Sequence, residues 1–327
     1  MSGGQLKHWG KFGRALRQNR SVVRFPVCLS AVLLLPWSAA AQVPAPMHEI
    51  ALLDCSGLPC VEMMAGSGTT VRLVIDTASP NAYLDTKAAQ RLRLVLQPLK
   101  SGAGGDISDV QQTTIVGAKL GDLLMGDFPF MVLDTAPDPN EPDKKRPAPL
   151  PADGALTYGS FKNRLVQLDF SKHILRVSEP QTETQPCPGR CGDLIVQHFG
   201  QYGPVTLTAT GFEVAGQPVS AQIDTLFTGT VLVYPPSVEK LGFKKLSKAK
   251  SKEDFPFAQN GLKLARAEGV EESFQGSALS PTGAVYFWTS KEEPAPNVQF
   301  DVTVGTGLLK STVFTLDLKG MHIWTAQ

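Results

Sequence analysis

Two aspartates stand out by type and by setting. Asp76 closes the stretch Arg72-Leu73-Val74-Ile75 and precedes Thr77; Asp224 closes Ala221-Gln222-Ile223 and precedes Thr225. An aspartate at the end of an apolar strand costs free energy unless it is paired or hydrogen-bonded. Finding the same costly residue twice points to a place where the two meet. Facing carboxyls do not both ionise, so they share one proton. One then serves as general base on a bound water and the other as general acid toward a carbonyl. That is the chemistry of peptide-bond hydrolysis with neither metal nor covalent intermediate. The hydroxyls of Thr77 and Thr225 are of the type that bonds an opposite backbone and fixes such a pair.

The pair belongs to an internal repeat. Residues 72–84, RLVIDTASPNAYL, return 148 positions later as 220–232, SAQIDTLFTGTVL. Residues 153–169 return at the same shift as 301–317, matching Asp153 to Asp301, Gly159 to Gly307, Lys162 to Lys310, Leu168 to Leu316 and Asp169 to Asp317. Two separated blocks in one register mark an internal duplication. The chain is therefore expected to divide into an N-terminal lobe, 42–180, a Pro-rich linker, 181–191, and a C-terminal lobe, 192–327.

The elements that position these residues read as strands. Apolar or alternating runs at Val71–Ile75, Thr113–Val116, Phe128–Leu133, Leu165–Phe170 and Ile174–Val177 lie between turn signals, and Val205–Ala209, Val219–Ile223, Ala284–Trp288, Val298–Val304, Val313–Leu318 and Met321–Trp324 follow in the second copy. Only Thr86–Leu92 and Pro236–Leu241 suggest a helical turn or two, the latter started by Pro235 and Pro236. The fold class is all-β with few short helices. Thirty Gly and 25 Pro agree with a turn-rich chain of that kind.

Here the sequence resembles the aspartic peptidases, the retropepsin-like and pepsin-like group. LVIDTAS is similar to that family's first apolar-Asp-Thr/Ser-Gly motif and AQIDTLF to the second, while Asp153–Asp169 and Val304-Gly305 resemble the later apolar-apolar-Gly segment of each half. The resemblance implies a bilobal β-barrel fold with a cleft between lobes, a polypeptide substrate, no cofactor and no metal, and Asp76 and Asp224 as catalytic aspartates with Thr77 and Thr225 in support. The Gly-rich segment Ser101–Asp106 is a candidate flap over the cleft. The chain departs from the pattern where the motif glycines are Ala78 and Leu226 and where a later glycine is Thr157. Leu226 is expected to crowd the site and to strain a backbone that favours glycine. Two readings follow: an active aspartic endopeptidase, or a catalytically silent fold that binds peptides or acts as a scaffold.

The remaining features concern location and rivals. Residues 1–41 run from a basic segment through FPVCLSAVLLLPWSAAA, with Ala39 and Ala41 in small-x-small spacing, so 1–41 reads as a signal peptide of an exported, periplasmic or secreted chain. Retention of the apolar run as an anchor is the alternative. The mature chain then holds Cys55, Cys60, Cys187 and Cys191, an even set in an oxidising compartment. The local pairings Cys55–Cys60 and Cys187–Cys191 are favoured over the cross-pairings and over a four-thiolate zinc site. Whole-chain charge is 31 basic against 30 acidic residues, and six of the basic ones lie in 1–41. The mildly acidic remainder offers nothing to a nucleic acid. No membrane span is expected in the mature chain, and a monomer is expected. G-x-S-x-G is absent, and His48-Glu49 lacks the second histidine of a zinc-protease motif because position 52 is Leu. His173, His198 and His322 are scattered, Asp134–Ala136 reads as a strand end, and Lys244–Lys252 reads as a solvated loop.

Overall fold

The computed structural model describes residues 46–100, 106–134, 150–198, 205–243, 264–279, 284–288 and 298–325. The expected signal segment, nearly all of Ser101–Asp106 and the stretch Lys244–Lys252 lie outside them. The described residues form the all-β architecture that the alternation implies: an eight-stranded sheet drawn from the N-terminal half and a fourteen-stranded sheet that continues into the C-terminal half. The helical turns stand at Thr86–Arg91 and Pro235–Lys240, each directly after the short strand that follows its Asp-Thr segment. Asp85 caps the first by accepting the Lys87 N–H at 2.8 Å, and Pro235 opens the second.

Both halves are wired alike. The strand Thr70–Asp76 runs parallel to Gly154–Thr157 with Asp76 opposite Thr157. Gln217–Asp224 runs parallel to Val302–Gly305 with Asp224 opposite Gly305. The last four residues of the first strand, Leu73 to Asp76, are all buried, as a strand covered on both faces requires.

The halves join through six side-by-side strands: Met47–Ala51, Ile174–Ser178, Leu165–Asp169, Phe314–Asp317, His322–Thr325 and Gly192–His198. At the centre Gln167 faces Thr315, flanked by Leu168 opposite Phe314 and Val166 opposite Leu316. Swapping each residue for its repeat counterpart returns the same pairs, so the register itself carries a two-fold relationship.

The other repeated acids have structural work. Asp153 accepts the Arg72 N–H at 2.9 Å and ion-pairs Arg91 at 2.8 Å. Asp301 accepts the Ser220 N–H at 3.0 Å and ion-pairs Lys240 at 2.6 Å. Asp169 and Asp317 each close a tight turn, accepting from Lys172 N–H at 3.1 Å and from Gly320 N–H at 2.8 Å respectively.

Candidate active site

The two Asp-Thr segments lie against each other. Thr77 N–H donates to Thr225 Oγ1 at 3.1 Å, and Thr225 N–H donates to Thr77 Oγ1 at 3.2 Å. The Thr77 hydroxyl donates to the Ile223 carbonyl at 2.9 Å, and the Thr225 hydroxyl donates to the Ile75 carbonyl at 2.5 Å. Both threonines are buried. Each strand end is thus gripped by the other at the residues directly before and after its aspartate.

The carboxyls differ in their partners. Asp76 is buried and accepts from the N–H groups of Ala78 at 2.9 Å and Ser79 at 3.1 Å and from the Ser79 hydroxyl at 2.5 Å. Asp224 is half-buried and accepts the Leu226 N–H at 2.8 Å. Phe227 occupies the place that Ser79 holds in the first half, so Asp224 has no hydroxyl there. Burial raises the pKa of Asp76 against the pull of Ser79 and Ala78. Burial first, and the charge of Asp76 second, push Asp224 up to about 7. The pair titrates as a unit, and the richer donor set on Asp76 favours the proton on Asp224. Two tyrosines feel this charge. Burial, then Asp76 and Asp224, raise Tyr83; burial pushes Tyr234 up to about 12, with a further contribution from Asp224.

The expected strain at Leu226 is not found. Neither Ala78 nor Leu226 has a positive φ, so a Cβ meets no backbone penalty at either position. Both still deliver their N–H groups to the carboxylates. The Leu226 side chain turns away to pack on the cluster of Cys55, Leu58, Cys60, Val74 and Ala155 in the N-terminal half. The glycine demanded by close approach is Gly305, where a Cβ would stand 2.2 Å from the Phe227 carbonyl oxygen. Its counterpart Thr157 is fully buried and gives its N–H to Ser160 Oγ at 2.9 Å.

The structure pairs Cys55 with Cys60 and Cys187 with Cys191. Among the described residues no group of three or more His, Cys, Asp and Glu is arranged to hold a metal ion, and no helix is long and apolar enough to cross a membrane. His48 sits between Asp122 at 2.9 Å and Glu179 at 3.1 Å, remote in pairing from either aspartate. His173 and His198 are exposed and His322 is half-buried. A cavity of about 380 Å³ opens beside Pro80, Asn81 and Ala82, lined also by Leu99, Phe128 and Met131; neither aspartate lines it. Ser79, Tyr83, Thr206 and Tyr234 are site residues that motif reading missed. Only Ser79 carried a local signal, a hydroxyl three residues past Asp76.

Residues 61–154 match the model of the family described as aspartyl protease. Among solved structures, the aspartic proteinase from Irpex lacteus aligns with a TM-score of 0.48 and 13% identity, over 86% of this chain and 97% of that one. No curated protein matches the chain. The segment 61–154, which carries Asp76 and its flanking strands, is thus similar to the aspartyl protease family.

Proposed function

We propose that the chain is an aspartic endopeptidase that hydrolyses polypeptides with Asp76 and Asp224 as its dyad. The observation that carries this reading is the exchange of hydrogen bonds between Thr77 and Thr225, which ties the two aspartate-bearing strand ends together. The Asp76 carboxylate, stabilised by Ala78 and Ser79, takes a proton from a water. That water's oxygen bonds to the scissile carbonyl carbon while Asp224 gives its proton to the carbonyl oxygen. Asp76 then passes its proton to the departing nitrogen as the C–N bond breaks, and Asp224 recovers its proton from the tetrahedral hydroxyl. Thr77 and Thr225 hold the dyad and touch no substrate. The cavity beside Pro80–Ala82 suits an apolar substrate side chain.

In the same reading the lobes are 42–180 and 192–327, joined by 181–191. The chain is exported after loss of 1–41, as the two disulfides favour, and works as a monomer without cofactor. The test is digestion of a mixed peptide pool by the purified chain, with and without residues 1–41, read by mass spectrometry across pH. Cleavage at acidic to mildly acidic pH is expected. Absence of cleavage at every pH in both forms would overturn the proposal.

A further inference from the structure

The duplicated motifs rest on opposite chemistries. In the N-terminal half, Leu58, Val74 and Ala155 belong to the buried apolar cluster that receives Leu226. The repeat shift of 148 carries these three to Thr206, Gln222 and Thr303. Strand pairing keeps the equivalence: Cys60 faces Val74 as Thr208 faces Gln222, and Val74 lies beside Ala155 as Gln222 lies beside Thr303.

The polar trio is fully wired. The Thr303 hydroxyl donates to Gln222 Oε1 at 2.8 Å, Gln222 Nε2 donates to Thr206 Oγ1 at 2.8 Å, and the Thr206 hydroxyl donates to the Ala78 carbonyl at 2.8 Å. Tyr234 closes the far end at 3.1 Å from Thr303 Oγ1. Ala78 is the first motif's counterpart of Leu226. So the third residue of each motif docks on the equivalent patch of the opposite half: a leucine side chain on an apolar patch, a backbone carbonyl on a hydroxyl. Exchanging either receptor would leave the half-buried Ala78 carbonyl without this donor or a leucine against hydroxyls, both costly.

We propose that Leu226 and Thr206 are positioning residues of the dyad, Leu226 setting Asp224 and Thr206 setting Asp76. The Leu226 N–H that holds Asp224 Oδ1 is placed by the anchoring of its own side chain. The Ala78 N–H that holds Asp76 Oδ1 is placed by the bond from Thr206 to the same residue's carbonyl. The inference rests on the reading of Asp76 and Asp224 as the dyad and assigns a role to the residue that breaks the family pattern.

The test is carboxyl NMR titration of the full chain labelled at aspartate, alongside kcat and KM. Among the described residues the ionisable groups that feel the charge of the pair are Tyr83 and Tyr234, and neither titrates in the acidic to neutral range. Leu226→Ala is expected to raise the upper apparent pKa of the pair, because Asp224 loses its hold on an N–H that favours the ionised form, and to cut kcat by about tenfold or more with little change in KM. Leu226→Met, of similar volume, restores both. Thr206→Val shifts the titration of Asp76, and Thr206→Ser restores it. Leu123→Ala, a buried truncation remote from the motifs, lowers stability without moving either titration. A wild-type titration curve in Leu226→Ala and Thr206→Val, or an equal shift in Leu123→Ala, would overturn the proposal. If wild type cleaves no peptide, the hydrolytic reading fails, yet the titrations still decide whether these residues hold the pair.

Discussion

Thr77 and Thr225 each give a backbone N–H to the other's hydroxyl, at 3.1 and 3.2 Å, and each hydroxyl passes its own proton to a carbonyl of the opposite half. No other polar contact in the described structure is so nearly reciprocal. Thr77→Val or Thr225→Val removes one hydroxyl and leaves both a buried N–H and a buried carbonyl without a partner. Each substitution is expected to cost about 1–3 kcal/mol of stability and to lower turnover, while serine retains most of both. Chemical denaturation with parallel peptide assays checks this, and a valine variant with wild-type stability and rate would contradict it.

Stability should fall as pH rises through the weakly acidic range. Asp224 is raised from an ordinary value of 3.8 to about 7, so between these values the folded chain holds a proton that the unfolded chain has lost. Glu272 adds to the same slope. It is buried, neither carboxyl oxygen has a hydrogen-bond partner among the described residues, and burial pushes it from 4.5 up to about 7. The stabilising contribution is complete below the unfolded pKa values and is lost as pH climbs to about 7. Calorimetric Tm across that window should decline. Glu272→Met, which removes the buried charge at similar volume, should flatten the decline and raise Tm above pH 7. An unchanged slope in Glu272→Met would refute its part in it.

Gly305 is needed for room rather than for backbone freedom. An added Cβ would meet the carbonyl oxygens of Phe227 at 2.2 Å and Gly229 at 2.4 Å, both backbone atoms. Gly305→Ala is therefore expected to cost about 1–3 kcal/mol and to disturb Asp224, its neighbour across the parallel pair. Thermal unfolding measures this; a neutral effect would show that the segment yields.

What the sequence made legible was local or repeated. Ile-Asp-Thr sits in a contiguous string, the shift of 148 ties its copies together, and alternation at Val71–Ile75 or Ala284–Trp288 suffices to place a strand. Met47–Ala51 and Gly192–His198 escaped, because each is specified by a partner far along the chain. The turn Thr306–Leu309 escaped as well, having no side-chain cap to announce it. Leu226 was misread for a related reason. Motif reasoning weighs a residue against its own backbone, whereas the space for this side chain is built by Leu58, Val74 and Ala155 in the other half. Thr206 bonds the Ala78 carbonyl directly and Tyr234 is linked to it through Thr303 and Gln222, a path of side chains that no local spacing encodes.

The central claim is that one proton shared by Asp76 and Asp224 drives hydrolysis, and single-site neutralisation tests it most directly. Asp76→Asn and Asp224→Asn keep the side-chain shape and remove one ionisable carboxyl each. The measurement is peptide turnover by wild type, both single variants and the double variant over a pH series, with circular dichroism to confirm folding. Wild type should be active at acidic to mildly acidic pH and lose activity as pH rises through about 7, where Asp224 gives up its proton. Each single variant should fall by about 10²–10⁴-fold or more, and the double variant should be no worse than either, because the pair acts as a unit. Substantial activity in folded Asp76→Asn or Asp224→Asn would place the chemistry elsewhere and contradict the account.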